Sequence, residues 1–151
     1  MQNKHETVVV HYLNEEGADA PTYSSLGASG ADVRAFIIEP MVILPGTTAL
    51  VPTGIRLQIP HGYEIQIRPR SGLAVNHGIT VLNTPGTVDA DYRGEIKVIV
   101  INHGSQNFVV QPGMRIAQFV LAPVVQAQFL PVEAISETQR GGGGFGHTGV
   151  H

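Results

Sequence analysis

Residues 55–68 read Ile55-Arg56-Leu57-Gln58-Ile59-Pro60-His61-Gly62-Tyr63-Glu64-Ile65-Gln66-Ile67-Arg68. On both sides of the Pro60-His61-Gly62 break, apolar and polar residues alternate one for one. A period of two puts Ile55, Leu57 and Ile59 on one side of an extended chain, with Arg56 and Gln58 on the other. The same split separates Ile65 and Ile67 from Glu64, Gln66 and Arg68. Proline and glycine between the runs are turn chemistry. Two half-buried strands joined by a turn are therefore predicted. The pattern extends outward to Val8-Val9-Val10, Met41–Leu44, Ile96–Ile101, Phe108–Val110 and Ile116–Leu121. Glycine (18) and proline (10) punctuate the chain throughout, at the spacing of short strands and turns. Helical periodicity is nearly absent, and Ser71–Val75 has room for one helical turn. The prediction is an all-β sandwich or jelly-roll-like barrel.

With 151 residues, the chain suits one domain with a real core. Its 42% hydrophobic and 14% charged content is too apolar for disorder. A net charge of -3 with no block of Lys and Arg argues against nucleic acid as the main partner. Without cysteine, disulfides and thiolate zinc sites are excluded. Met1–Glu6 is polar, with no apolar signal core. The longest apolar stretch, Phe119–Val125, contains Pro123 and falls far short of the roughly 20 residues that span a bilayer. A soluble cytoplasmic protein that does not engage membranes is expected.

Several catalytic signatures are missing. No G-x-x-x-x-G-K-[ST] loop is present, none of the seven His opens an H-E-x-x-H run, and Gly27-Ala28-Ser29-Gly30-Ala31 lacks the last glycine of a nucleophile elbow. Polar residues cluster at turns instead. Arg68-Pro69-Arg70-Ser71-Gly72-Leu73-Ala74 sets two arginines and a hydroxyl beside a possible helix start, which suits an anion as well as it suits a capped, solvated turn. Asn83-Thr84-Pro85-Gly86-Thr87-Val88-Asp89-Ala90-Asp91-Tyr92-Arg93-Gly94 reads as a hairpin with a long loop. The last stretch, Arg140–Gly149, holds six glycines and one aromatic. Such a tail is costly to order and often frays. A guanidinium and a ring on a glycine tether also suit a phosphate and a base.

Five segments in order resemble the five motifs of the trimeric deoxyuridine triphosphatase (dUTPase) family. They are Ala28–Ala35, Arg68–Ala74, Asn83–Gly94, Pro112–Gln118 and Arg140–Gly149; their order and spacing agree, so the resemblance spans nearly the whole chain. Any one alone is weak; five in register are specific. Ala31 departs by standing where the family usually has a larger apolar or aromatic residue. The resemblance implies a distorted jelly-roll or β-barrel of the β-clip kind over residues 1–139. Residues 140–151 would form a glycine-rich arm closing over a site shared within a homotrimer.

It also implies Mg²⁺-assisted hydrolysis of dUTP to dUMP and pyrophosphate, which keeps uracil out of DNA and supplies dUMP for thymidylate synthesis. Asp89 would be the catalytic carboxylate that activates a water. Asp32 would hold Mg²⁺ through water. Asn83 and the backbone of Thr87 and Val88 would read uracil, Tyr92 would exclude a 2′-hydroxyl, and Lys97 would touch the nucleoside. Arg70, Ser71, Gly72 and Gln118 would hold phosphates. Arg140 would bind the γ-phosphate, Phe145 would cover the uracil ring, Gly146 would also contact substrate, and Thr148 would help seat the phosphates. Arg34 and Arg115 read as structural ion-pair or subunit-contact residues. Two related alternatives are a deoxycytidine triphosphate deaminase, which would need a glutamate base where the third motif offers Asp89, and a nucleotide-binding module without turnover. A jelly-roll structural protein would not need Asp32, Asp89 and Arg140 in register.

Overall fold

A computed structural model describes residues 6–150; the first five residues of the polar Met1–Glu6 segment, and His151 at the tail's end, lie outside it. The elements in order are β1 (His11–Asn14), β2 (Thr22–Tyr23), β3 (Ala31–Arg34), β4 (Met41–Ile43), β5 (Thr48–Pro52), β6 (Ile55–Gln58) and β7 (Tyr63–Arg68). Then come α1 (Ser71–His77), β8 (Ile79–Val81), β9 (Gly86–Val88), β10 (Lys97–Asn102), β11 (Phe108–Val110) and β12 (Arg115–Pro123). The all-β prediction holds. Among the described residues four antiparallel sheets, ordered β2-β3-β12-β7-β9, β5-β10-β8, β11-β4 and β1-β6, surround one core.

The alternating stretch behaves as its period requires. Ile55, Leu57, Ile65 and Ile67 are buried in the core, while Arg56 and Arg68 face out. Across the five-stranded sheet, Gln118 lies opposite both Asp32 on β3 and Arg68 on β7. These three residues therefore share one row. Ala31 is buried opposite Phe119, so the small residue faces a large partner.

Other expectations shift. Val8–Val10 forms no strand; the strand is His11–Asn14, whose partners run from Gln58 to Ile55 on β6. β6 ends at Gln58, just before Ile59 and Pro60, so the valines have no neighbouring strand to join. Asn83–Gly94 is not a hairpin. β8 pairs with β10 and β9 with β7, so the turn after Val81 crosses from one sheet to another. Sequence alternation cannot tell a turn that reverses within a sheet from one that changes sheets. Strands β2, β5 and β8 have no counterpart in the predicted pattern. The helix runs two residues beyond Val75, to His77. It stops at Gly78, whose φ of 68° is left-handed and whose N–H bonds to the Ala74 carbonyl. A Cβ at Gly78 would come within 2.7 Å of the Gly104 nitrogen, so glycine is required there twice over.

After Pro123 the described residues form no further strand. Val125, Phe129, Leu130, Val132 and Ile135 along it are all exposed. Among the described residues no helix is long and apolar enough to cross a membrane.

Candidate active site

Segment 82–96, which includes β9, and residues of β5, β6, β7 and β10 build a cavity of about 580 Å³. Asn83, Thr87, Val88, Asp89, Tyr92 and Lys97 all line it, so six residues picked from sequence meet here. β9 sets the first part. Val88 is buried opposite Ile65, and the period of two turns Thr87 and Asp89 outward. Gly86 is buried against β7; a Cβ there would lie 3.1 Å from Ile67 Cβ and 3.4 Å from Asn83 Nδ2. Its missing side chain leaves the Asn83 amide its space. Asp89 is exposed, and it also lines a second cavity of about 560 Å³ with His61, Glu64 and Asp91.

Tyr92 is not the buried core aromatic that its type alone would suggest. It is 47% exposed, and its hydroxyl donates to the Glu95 carbonyl at 2.9 Å. The loop closes on itself through Tyr92 N–H to the Asp89 carbonyl (3.1 Å) and Arg93 Nη1 to the Ala90 carbonyl (2.6 Å).

A second group gathers around Asp32. This carboxylate is 4% exposed. Arg115 Nη1 donates to its Oδ2 at 3.2 Å, Gln118 Nε2 donates to its Oδ1 at 3.3 Å, and Arg70 Nε lies 3.8 Å from Oδ1. Arg70 is further fixed by an Nη1 bond to the Arg115 carbonyl at 3.1 Å. A buried carboxylate needs such partners, because desolvation disfavours its charge. The backbone makes the meeting possible. The pairing of β12 with β3 shifts register between Arg115 and Ala117. Ile116 and Ala117 are both buried, so Arg115 and Gln118, three residues apart, can reach the same carboxylate. Arg115 is thus the ion-pair residue it was taken to be. Arg34 bonds the Gly113 carbonyl at 2.8 Å and lies 3.9 Å from exposed Asp19. Ser71 and Gly72 open α1 beside Arg70 and are exposed.

The tail forms a third group. Arg140, Gly146 and Thr148 line a cavity of about 470 Å³. Arg140 Nε donates to the Gly143 carbonyl at 2.6 Å. Phe145 is fully exposed, with a φ of 51°. The cavity at Asp89 includes none of Arg70, Gln118 or Arg140. Within one chain the predicted residues thus fall into three separate groups. Sequence reasoning passed over Glu95 and Arg56, which also line the Asp89 cavity. Glu95 sits one residue past the quoted motif, and a charge ahead of an apolar run carries no signal of its own.

No group of three or more His, Asp or Glu among the described residues is placed to hold a metal. Asp32 has its two nearest donors, one on each oxygen, and two guanidiniums near its charge. Each carboxylate oxygen retains a lone pair. The site fits a water-mediated contact to a cation, not direct ligation.

A dUTPase family model matches residues 16–149. The deoxyuridine 5'-triphosphate nucleotidohydrolase of Chlamydia pneumoniae is 62% identical over 137 residues, covering 90% of this chain and 94% of its own. That of Chlamydia caviae is 60% identical over 138 residues, covering 89% and 94%. A Staphylococcus bacteriophage 80alpha dUTPase with dUPNHPP superimposes with a TM-score of 0.85 at 23% identity, over 95% of this chain and all (100%) of that one. A mutant dUTPase from phage phi11 of S. aureus, described with a structural Mg(II) ion, gives 0.75 at 20% identity, over 84% and 98%.

Proposed function

The chain belongs to the dUTPase family, and from that premise we propose the following reading of its chemistry. The protein is a dUTP diphosphatase, hydrolysing dUTP to dUMP and pyrophosphate. The observation that carries the assignment to these residues is the cavity that gathers Asn83, Thr87, Val88, Asp89, Tyr92 and Lys97.

Asp89 accepts a proton from a water held at its carboxylate, and that water attacks the α-phosphorus. The bond from α-phosphorus to the bridging oxygen breaks, and pyrophosphate leaves with the electron pair. Being exposed, Asp89 can reach such a water. Asn83 and the main chain of Thr87 and Val88 pair with uracil's edge. Cytosine presents the opposite donor and acceptor pattern and leaves those groups unpaired, which is a strong basis for rejection. Tyr92 packs against the deoxyribose where a 2′-hydroxyl would sit. Arg70, Ser71, Gly72 and Gln118 bind phosphate oxygens, with Arg70 and Gln118 held in place by Asp32. When bound on the triphosphate, Mg²⁺ offsets its charge and orients it for in-line displacement. Asp32 would hold the ion only through water.

The three groups come together in a homotrimer, where the base-reading cavity of one subunit meets the phosphate group of another and the Arg140–Thr148 arm of a third. Two features support this. Arg70 and Gln118 do not reach the Asp89 cavity of their own chain, and the exposed apolar residues after Pro123 need a partner surface. Residues 1–139 act as the barrel unit and 140–151 as the closing arm. The proposed place of action is the cytoplasm, with free nucleotides as substrates.

The test is pyrophosphate release from purified protein offered dUTP, dCTP, dTTP and UTP in parallel. Turnover of dUTP alone, without ammonia release from dCTP, is expected. Deamination of dCTP, or no turnover of dUTP, would overturn the reading.

A further inference from the structure

Loop 89–95 carries Asp89 and Tyr92 yet belongs to no helix or strand. Most of its bonds are internal, so something else must fix it against the barrel. That tie is Glu95. Its Oε2 accepts the Gly54 N–H at 3.2 Å, and its main-chain carbonyl accepts the Tyr92 hydroxyl at 2.9 Å. One residue thus joins the ring to the barrel wall.

The anchor at the far end is firm. Gly54 accepts the Glu15 N–H at 2.8 Å, and its φ of 68° is left-handed. A Cβ at Gly54 would come within 2.7 Å of Ala18 Cβ and 2.8 Å of the Phe36 ring. The neighbouring main chain is bolted as well. Thr53 Oγ1 donates to the Ile96 carbonyl at 2.6 Å, and Ile96 N–H donates to the Ile55 carbonyl at 2.8 Å. Gly94 is tight against the ring, since a Cβ there would collide with the Tyr92 hydroxyl. Although the ring is half exposed, its hydroxyl end is held between Gly94 and the Glu95 carbonyl on which it rests. Glu95 is half-buried and lines the same cavity as Asn83 and Asp89.

From this geometry we propose that Glu95 is a positioning residue for sugar discrimination. Its carboxylate, bonded to Gly54, sets the carbonyl that holds the Tyr92 hydroxyl, and so sets how closely the ring approaches the sugar. The proposal rests on the reading of Tyr92 as the wall against a 2′-hydroxyl.

The test compares kcat/KM for UTP and dUTP, at Mg²⁺ saturation, in folded Glu95→Met, Glu95→Gln and Tyr92→Ala proteins. Met keeps the length of the side chain without a strong acceptor; Gln keeps an acceptor oxygen. Glu95→Met should raise the UTP-to-dUTP ratio by up to about tenfold, the scale of one lost hydrogen bond. The cause should be better UTP use, with kcat for dUTP falling less than the ratio rises. Glu95→Gln should restore the ratio. Amide exchange gives a second readout that needs no activity: Gly54 N–H should exchange faster in Glu95→Met, while the buried Val98 amide should not. An unchanged ratio in Glu95→Met, alongside a raised one in Tyr92→Ala, would overturn the role of Glu95 and leave Tyr92 intact. An unchanged ratio in Tyr92→Ala would overturn the reading of Tyr92 and the proposal with it. A Glu95→Gln protein as permissive as Glu95→Met would also overturn it.

Discussion

Asp89 follows strand β9 and Asp32 lies within strand β3, and their surroundings set them to different tasks. Asp89 is exposed at the cavity mouth and makes no side-chain hydrogen bond or ion pair among the described residues. Asp89→Asn should keep the fold and nucleotide binding while slowing hydrolysis roughly 10²–10⁴-fold, the range for a positioned base. Near-normal turnover in the purified variant would remove Asp89 from the chemistry. Asp32 is buried and joined to Arg115, Gln118 and Arg70. Asp32→Asn should cost stability even with all divalent cations chelated. Because the Arg70 and Arg115 side chains are 25% and 42% exposed, the loss should be about 1–2 kcal/mol, below that of a fully buried charged bond. A melting temperature unchanged in chelator would mean that the carboxylate serves the metal alone.

At the scale of elements, the tail is the clearest case. Residues 140–150 contribute nothing to the buried core, and among the described residues Phe145 is fully exposed. Removing residues 140–151 should leave melting temperature and oligomer mass nearly unchanged, yet lower dUTP turnover steeply. Arg140 would no longer reach the γ-phosphate, and the base would stay open to water. Ordering about ten residues costs roughly 1–2 kcal/mol each in backbone entropy. Closure should therefore require the triphosphate. Cleavage next to Arg140 by a protease should slow with a non-hydrolysable dUTP analogue plus Mg²⁺, and much less with dUMP. Equal protection by dUMP, or full activity of the truncated chain, would sink the closing-arm mechanism.

For the molecule as a whole, the proposed sharing of the site among subunits would make oligomerisation a condition of activity. Light scattering should give three times the 16.1 kDa chain mass. A monomer with full dUTP turnover would refute the shared site. Chelation should remove most activity and added Mg²⁺ should restore it, since no cluster of metal ligands holds an ion in the described chain and the substrate must bring it.

The sequence by itself determined the strand class, because a period of two and frequent turn residues are local properties. It marked β4, β6, β7, β10, β11 and β12, and it singled out six of the residues that line the Asp89 cavity. Three things it could not reach. Strand partners depend on contacts far apart in the chain, so Asn83–Gly94 read as a hairpin although β8 and β9 join different sheets. The hub at Asp32 depends on the register shift between Arg115 and Ala117, which alternation alone would have forbidden. The tie from Glu95 to Gly54 spans 41 positions. A hydrogen bond at that separation exists only once the barrel has brought its two ends together.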